Sequence, residues 1–214
     1  MVILGLTGSI GMGKSTAAAA FRRLGVPVHD SDAVVHALSA PGGAAVDYIA
    51  KAFPETVDGG VIDRRVLAAR VFTDSLSLRR LEGILHPMVR ADRTRFLGTQ
   101  ARRGSRLVVL DIPLLFETAS EHLCDGVAVV SAPPFVQRRR VMGRTGMTEE
   151  RLQGILKQQV PDAEKCRRAD FIVQTGLDRG YGLRQVAGIV KVVSRWRGRH
   201  WPTSEKPDRE KQYA

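Results

Sequence analysis

The sequence predicts an α/β protein in which a parallel β-sheet is flanked by helices, and three observations at its start support this prediction. Residues 2–6 are a continuous apolar run, typical of a strand buried on both faces of a parallel sheet. Residues 15–24 are rich in alanine, as a helix would be, and stop at Gly25. Residues 26–29 then resume a short apolar run, which completes the β-α-β crossover that parallel strands require.

The remaining elements follow from the same patterns. Apolar runs at residues 107–110, 126–131 and 171–173 predict three further strands. Between the second and third strands, from about residue 33 to 105, apolar residues recur at helical spacing, so we expect an inserted helical region. The whole is predicted to be one domain of residues 1–200, followed by a basic, polar and flexible tail of residues 201–214, with fraying expected already from about Val193.

The composition limits the class of partner and the compartment. A net charge of +11 and a pI near 10.4 permit polyanionic partners, which include nucleic acid, acidic membranes and phosphorylated small molecules. The two cysteines, Cys124 and Cys166, lack the spacing of a zinc site or a disulfide framework, so we expect a cytoplasmic protein. No uncharged apolar run approaches the roughly 20 residues that span a bilayer, and no membrane partner is predicted.

Trp196 and Trp201 alternate with arginines near the end of the chain. This pattern is similar to a patch that binds nucleic acid or a membrane surface. A disordered basic tail explains the same residues, and we prefer that interpretation.

One motif carries strong chemical information. Residues 8–15 match the pattern G-x-x-x-x-G-K-S and lie between a predicted buried strand and a predicted helix, as a P-loop does. In such a loop the backbone N–H groups and the helix N-terminus surround phosphate oxygens, the lysine reaches the β- and γ-phosphates, and the serine hydroxyl binds Mg²⁺. The predicted ATP-binding residues are Gly8, Ser9, Ile10, Gly11, Met12, Gly13, Lys14, Ser15 and Thr16.

Three aspartates lie at the ends of predicted strands. Asp111 follows the apolar run 107–110, where a Walker-B carboxylate would hold Mg²⁺ together with Ser15. Asp30 and Asp32 follow the second strand, at the edge of the sheet where doubly wound proteins bind their ligands. We expect Asp30 to cap the following helix and Asp32 to accept a proton from an attacking hydroxyl group.

A basic segment predicts contacts to the transferred phosphoryl group. Arg140 and Arg144 are four residues apart and would share a face of one helix, from which they could neutralise phosphate charge. For Arg138 and Arg139 a solvated helix face is the better interpretation. His86 precedes Pro87, which would kink or restart a helix, and both a packing role and a substrate contact remain open for this histidine.

Other P-loop classes fit the sequence less well. A regulatory GTPase needs a D-x-x-G switch and an N/T-K-x-D base-recognition motif, yet the chain has no D-x-x-G segment and no asparagine. A compact kinase with an acceptor-side insertion and an arginine-bearing lid, at about residues 138–148, fits better.

The ordered series of motifs resembles the dephospho-CoA kinase family over about residues 3–190. The matching features are the P-loop segment 5–16, Leu24-Gly25, Asp30 with Asp32, Pro41-Gly42, Asp58-Gly59, Ile62-Asp63-Arg64, Leu81-Glu82, His86-Pro87, the segment 111–117 (D-I-P-L-L-F-E), Gln137, Arg140, Arg144, Gln159 and Ala169-Asp170. Three features depart from the family pattern. Ser9 and Met12 replace smaller residues at variable positions of the P-loop, and Gln174-Thr175-Gly176 stands where the family often has an asparagine.

The resemblance implies a reaction and roles for the matching residues. In that family the ribose 3′-hydroxyl of dephospho-CoA attacks the γ-phosphate of ATP in the presence of Mg²⁺, giving CoA and ADP. Asp32, Lys14 and Arg140 would then be catalytic, Arg144 would bind ATP, and the acceptor would contact Asp32, His86 and Glu117. Ser15 and Asp111 would serve the metal ion. The protein would act as a monomer or weak homo-oligomer.

Two alternatives remain open from the sequence. One is a kinase for another phosphorylated acceptor, such as a nucleoside monophosphate. The other, less favoured, is a nucleotide-gated module that binds nucleic acid through the basic surface, and it predicts binding that weakens steeply with salt.

Overall fold

A five-stranded β-sheet organises the fold in a computed structural model that describes residues 1–58 and 60–202. The sheet order is β2-β5-β1-β6-β7, and β3 and β4 form a separate antiparallel pair. In chain order the strands are β1 (Val2–Thr7), β2 (Val28–Asp30), β3 (Val57–Asp58), β4 (Val61–Ile62), β5 (Leu107–Asp111), β6 (Gly126–Ser131) and β7 (Phe171–Gln174).

The helices lie between these strands, as the sequence patterns predict. They are α1 (Lys14–Arg23), α2 (Ser31–Leu38), α3 (Val46–Ala52), α4 (Arg64–Thr73), α5 (Ser75–Arg102), α6 (Pro134–Met142), α7 (Glu149–Gln158), α8 (Asp162–Arg168) and α9 (Arg179–Val193). Helix α5 runs through Pro87 without interruption, so this proline does not restart a helix. Within the described residues, no helix has both the length and the apolar composition that crossing a bilayer would take.

The predicted parallel sheet is confirmed. Strand β1 pairs in parallel with β5 and with β6, and β6 pairs in parallel with β7. Leu6 lies opposite Asp111, so the end of β1, where the P-loop begins, and the end of β5 are neighbours at one edge of the sheet. This register brings two sequence motifs together although more than 90 residues of chain separate them.

The chain divides into two compact units. One comprises Met1–His29 and the chain from Thr99 onward, and the other comprises Asp30–Gly98, which overlaps the insertion expected at about residues 33–105. The first unit has a core of strand residues and of apolar residues from α1 and α9, including Leu4, Phe21 and Val186, each of which is fully buried.

The second unit has an apolar core of its own. The residues that form it are Ala45, Val46, Ile49, Phe53, Ile62, Leu67 and Leu85. The sequence predicts mostly helix here, and the structure adds the short β3–β4 pair. Helix α4 begins where the Asp63 carboxylate accepts hydrogen bonds from the N–H groups of Arg65 (2.8 Å) and Val66 (3.1 Å), so Asp63 is an N-cap.

Residues 194–202, the described part of the chain after α9, are held against the first unit, in contrast to the fraying expected from about Val193 onward. The Trp196 ring stacks on the Phe171 ring with their centroids 5.5 Å apart, and it packs against the core of the first unit. At Gly126 an added β-carbon would come within 2.6 Å of this ring, so the glycine leaves room for it.

Backbone contacts hold the same segment. The Asp125 carboxylate accepts hydrogen bonds from the N–H groups of Ile3 (2.7 Å), Arg199 (2.5 Å) and His200 (3.3 Å), and thereby links residues 199 and 200 to the first strand. The disordered-tail interpretation is therefore wrong for Trp196. The arginines around Trp196 made this segment look like a solvated tail. The burial of Trp196 depends on Phe171, which lies 25 residues earlier in another element, so the local pattern did not predict it. The predicted flexible tail, residues 201–214, falls outside the described residues from 203 onward.

We expect Trp196→Ala to lower the free energy of unfolding by about 2 kcal/mol, less than the range for a fully buried aromatic residue because Trp196 is half-buried. Urea unfolding of the purified protein measures this change. The matched control is Phe135→Ala, since Phe135 is 74% exposed and should cost little. Equal stabilities of the two variants would contradict the docked position of Trp196.

Candidate active site

The P-loop motif forms the turn between β1 and α1. The loop follows Thr7, and α1 begins at Lys14, directly after Gly13. Gly13 has a φ of +93°, in the left-handed region where a side chain would be strained. The first turn of α1 contains no acidic side chain, so its N-terminal N–H groups and dipole are suited to an anion.

A buried carboxylate meets the P-loop lysine. Lys14 Nζ lies 2.5 Å from Asp111 Oδ1, and their side chains are only 16% and 2% exposed. The Thr7 hydroxyl donates to the backbone carbonyl of Pro113 at 2.9 Å, which fixes the chain that follows Asp111 to the strand that precedes the loop. The structure thus brings together two residues that the sequence assigned separately, one to phosphate and one to the metal ion.

The residues predicted to hold Mg²⁺ suit an ion that is delivered with ATP. Ser15 is exposed at the start of α1, and Asp111 lies at the end of the adjacent strand. Among the described residues no group of three or more His, Cys, Asp or Glu side chains is arranged to hold a metal ion. Mg²⁺ commonly takes one or two protein ligands and completes its octahedron with phosphate oxygens and water, so Ser15 and Asp111 fit such an ion.

Arg140 contacts both the P-loop and the end of β7. Its guanidinium donates to the Thr175 carbonyl at 2.5 Å and to the Thr175 hydroxyl at 3.0 Å, and Nη1 also lies 3.4 Å from the Gly11 carbonyl oxygen. The Thr175 hydroxyl in turn donates to the carbonyl of Met12. Thr175 belongs to the segment that departs from the family pattern, and in this chain its hydroxyl links β7 to the P-loop.

The expectation that Arg140 and Arg144 share one helix face is wrong. Helix α6 ends at Met142, and Arg144 lies in the turn that follows, where Gly146 has a φ of +72°. Gly143 is the C-cap, and its poor helix propensity stops the helix before a further turn can form. Arg144 is exposed in this turn.

Glu117 forms a buried ion pair. Its Oε1 lies 2.8 Å from the Nζ of Lys165, whose side chain is fully buried, and accepts a hydrogen bond from the Val160 N–H at 2.9 Å. Burial by itself would raise the pKa of the Glu117 carboxyl, but Lys165 and the backbone N–H groups outweigh burial and hold this pKa below its ordinary value. Acceptor binding by Glu117 stays a prediction, and these contacts give the residue a structural role as well.

The remaining predicted residues lie in the second unit. The cap predicted at Asp30 is confirmed, because its carboxylate accepts from the Ala33 N–H at 3.0 Å at the start of α2. Asp32 is exposed in the first turn of that helix, and within the part of the chain that the structure describes it has no hydrogen-bonding or ionic partner. His86 is exposed on α5, which disfavours a packing role.

Sequence reasoning missed the partners that support the loop. Gln137 and Gln159 had no assigned role, yet both bond to the peptide groups of Ile10. Lys165 was not singled out at all. The sequence feature that could have indicated it is Glu117, an acidic residue after an apolar segment, since a buried carboxylate needs a cation as partner. The sequence does not show where along the chain that cation lies.

The chain is similar to known proteins over most of its length. A profile of the family described as dephospho-CoA kinase matches residues 2–178. The dephospho-CoA kinase of Mesorhizobium japonicum is 52% identical over 198 residues, which cover 92% of this chain and 100% of the relative. That of Paramagnetospirillum magneticum is 61% identical over 165 residues, which cover 77% and 78% of the two chains.

Solved structures share the fold. The crystal structure of TT1252 from Thermus thermophilus matches with a TM-score of 0.77 at 38% identity, over 89% of this chain and 96% of that one. The dephospho-CoA kinase from Campylobacter jejuni matches with a TM-score of 0.63 at 23% identity, over 91% and 98% of the two chains, and at this identity the likeness concerns the fold alone.

Proposed function

This chain belongs to the dephospho-CoA kinase family, and we propose that the P-loop, Lys14 and Asp111 form its phosphoryl-transfer centre. The protein is an ATP-dependent kinase that phosphorylates the ribose 3′-hydroxyl of dephospho-CoA, giving CoA and ADP in the last step of coenzyme A biosynthesis. The observation that carries the proposal is the 2.5 Å contact between Lys14 and Asp111 beside the N-terminus of α1. This contact brings a cation and a buried carboxylate together beside a helix N-terminus whose first turn carries no acidic side chain, which supports a site for phosphate and a metal ion.

The loop binds the phosphates of ATP. Residues Gly8 to Thr16 form the loop around the phosphates, and the Lys14 ammonium neutralises charge on the β- and γ-phosphates. Backbone N–H groups of the loop donate to the phosphates, except those of Ile10, Met12 and Thr16, which donate within the protein. Lys14 is paired with Asp111, at the end of the strand beside the loop, so its side chain is held in a fixed orientation at the proposed site. An oriented cation needs little rearrangement during the reaction, which is the basis of electrostatic preorganisation.

Mg²⁺ is proposed to accompany ATP and to be held by Ser15 and Asp111. It supplies positive charge that offsets the negative charge developing on the phosphoryl oxygens. The exposed Ser15 hydroxyl and the buried Asp111 carboxylate are oxygen donors, the type that Mg²⁺ prefers.

The acceptor is proposed to contact Asp32, His86 and Glu117. Asp32 orients the 3′-hydroxyl and accepts its proton, and its exposed carboxylate at the start of α2 is available for that role. His86 and Glu117 are further proposed contacts. The Glu117 Oε1 atom is paired with Lys165, and Oε2 is buried without a hydrogen-bond partner among the described residues, so contact with the acceptor requires a shift that exposes Oε2.

Arg140 and Arg144 are proposed to act from the lid, about residues 138–148. Arg140 lies beside the carbonyl of Gly11, in the loop proposed to hold the phosphates, and it would exchange its bonds to Thr175 for a phosphate contact. Arg144 would bind ATP from the turn after α6. Closure of this segment would exclude water that could otherwise take the phosphoryl group.

We further propose a cytoplasmic protein that works as a monomer or a weak homo-oligomer. Cys124 and Cys166 are both free thiols, which suits a reducing compartment. The substrates, ATP and dephospho-CoA, account for the basic surface without a nucleic-acid partner.

An acceptor panel tests the proposed function. Coupled detection of ADP is expected to show turnover with dephospho-CoA and far lower turnover with AMP, CMP or shikimate. ADP release without acceptor, measured alongside, reports hydrolysis. Equal or better turnover of a nucleoside monophosphate would overturn the acceptor assignment while leaving the kinase class intact. Salt-dependent binding of a duplex, in place of any turnover, would favour the nucleic-acid alternative.

A further inference from the structure

Ile10, in the middle of the P-loop, is held on both of its peptide groups by glutamine side chains. Its N–H donates to the Oε1 atom of Gln159 at 3.1 Å. Its carbonyl oxygen accepts from the Nε2 atom of Gln137 at 2.8 Å. A backbone N–H can only donate and a carbonyl can only accept, so the orientation of each side-chain amide is fixed by its partner.

The two glutamines flank the lid. Gln137 lies on α6, before residues 138–148, and Gln159 directly follows the last residue of α7. One glutamine before the lid and one after it therefore form hydrogen bonds to the same loop residue, Ile10. No other part of the reaction scheme uses either side chain.

Further contacts hold Gln137 and the segment around Gln159 in place. Gln137 is 8% exposed, and at Gly11 an added β-carbon would lie 2.5 Å from the Val141 side chain and 3.1 Å from the Gln137 carbonyl oxygen. Helix α6 thus packs directly on the loop. Beside Gln159, the Val160 N–H donates to Glu117, which is paired with the fully buried Lys165.

We propose that Gln137 and Gln159 are positioning residues, which fix the peptide planes of Ile10 so that the following loop amides face the phosphates. The physical reason is that a loop held in its binding conformation before ATP arrives does not lose conformational entropy on binding. This inference rests on the proposed role of the P-loop as the ATP site. It predicts a loss of nucleotide affinity, with acceptor binding and the chemical step little changed.

The sharpest test uses the opposite hydrogen-bonding roles of the two residues. Gln159→Glu keeps an acceptor for the Ile10 N–H, whereas Gln137→Glu presents a carboxylate to a carbonyl oxygen and cannot donate. Both substitutions add the same charge beside the same residue. We expect Gln137→Glu to raise the KM for ATP at least tenfold and Gln159→Glu to raise it less than threefold, while Gln159→Ala raises it about tenfold.

Two further measurements separate positioning from general destabilisation. Gln137→Met removes the donor without adding charge, and it should raise the KM for ATP and the Kd for ADP about tenfold, with the KM for dephospho-CoA unchanged and kcat within threefold. The matched control is Gln153→Ala, because within the described residues the Gln153 side chain bonds only to Glu149 on the same helix, so this variant should leave all constants unchanged. Calorimetric titration with ADP gives the affinity directly.

The outcomes are distinct. Equal losses in the two glutamate variants would show that charge is the cause, and would overturn the inference. Variants at Gln137 and Gln159 that bind ADP like Gln153→Ala would overturn it as well, although the proposed function would stand. Failure of the unaltered protein to bind ADP would instead overturn the P-loop assignment on which both depend.

Discussion

Replacing Lys14 by alanine is expected to lower kcat for phosphoryl transfer by about 10³-fold, the upper end of what one preorganised electrostatic contact supplies. The ammonium group is a point charge at the β- and γ-phosphates, and no other lysine lies in the loop or in α1. Because the charge is needed most as negative charge shifts onto the phosphate oxygens, the loss should appear in kcat more than in ATP binding. Steady-state kinetics with dephospho-CoA and a separate ATP titration measure the two effects.

The same substitution has a cost in stability that must be separated from its effect on catalysis. Asp111 is 2% exposed, and without Lys14 its carboxylate loses an ion-pair partner. Losing the partner of a buried charge costs about 3–5 kcal/mol. Lys14→Ala combined with Asp111→Asn removes both charges, so we expect it to recover part of the stability and none of the activity. Near-normal turnover by folded Lys14→Ala would show that the loop is not the ATP site.

The sheet and the P-loop could be predicted from the sequence because both depend on local patterns. The apolar runs at residues 107–110 and 126–131 coincide within one residue with β5 and β6. The loop motif carries its own conformational requirements, such as the positive φ at Gly13. The Asp30 cap is likewise local, since its partner, the Ala33 N–H, is three residues away.

The contacts that support the site could not be predicted, because they join distant parts of the chain. The bonds from Ile10 to Gln137 and Gln159 span 127 and 149 residues, and glutamine gives no pattern from which such a bond could be inferred. The prediction of a disordered tail at Trp196 was wrong for the same reason, since the Phe171 ring that stacks on it lies in another element. The prediction that Arg144 shares a helix face with Arg140 was wrong because a spacing of four residues indicates a shared face only where the helix continues, and α6 ends at Met142.

The second large effect is expected at Asp32. Asp32→Asn preserves the shape of the side chain and removes its basicity, so kcat should fall by about 10²–10⁴-fold, the usual contribution of a positioned general base. Folding and ATP binding should survive, because Asp32 is exposed and, within the described residues, has no partner to lose. Steady-state kinetics, ATP titration and thermal melting of the variant measure the three quantities.

Asp30 provides the matched control for Asp32, since it lies two residues away and carries the same charge. Asp30→Asn removes that charge but keeps a side-chain oxygen for the Ala33 N–H, and asparagine caps helices as well as aspartate does, so activity and stability should both change little.

The pH dependence of kcat then separates two roles for Asp32. A loose phosphoryl-transfer transition state needs little early removal of the proton, and a residue that only orients the hydroxyl would leave the residual rate of Asp32→Asn with the same pH profile as the wild type. If Asp32 instead takes the proton, the wild type and Asp32→Asn should differ in the pH profile of kcat. Retention of more than about a tenth of wild-type kcat by Asp32→Asn, a loss far smaller than removal of such a base causes, would show that another group takes the proton.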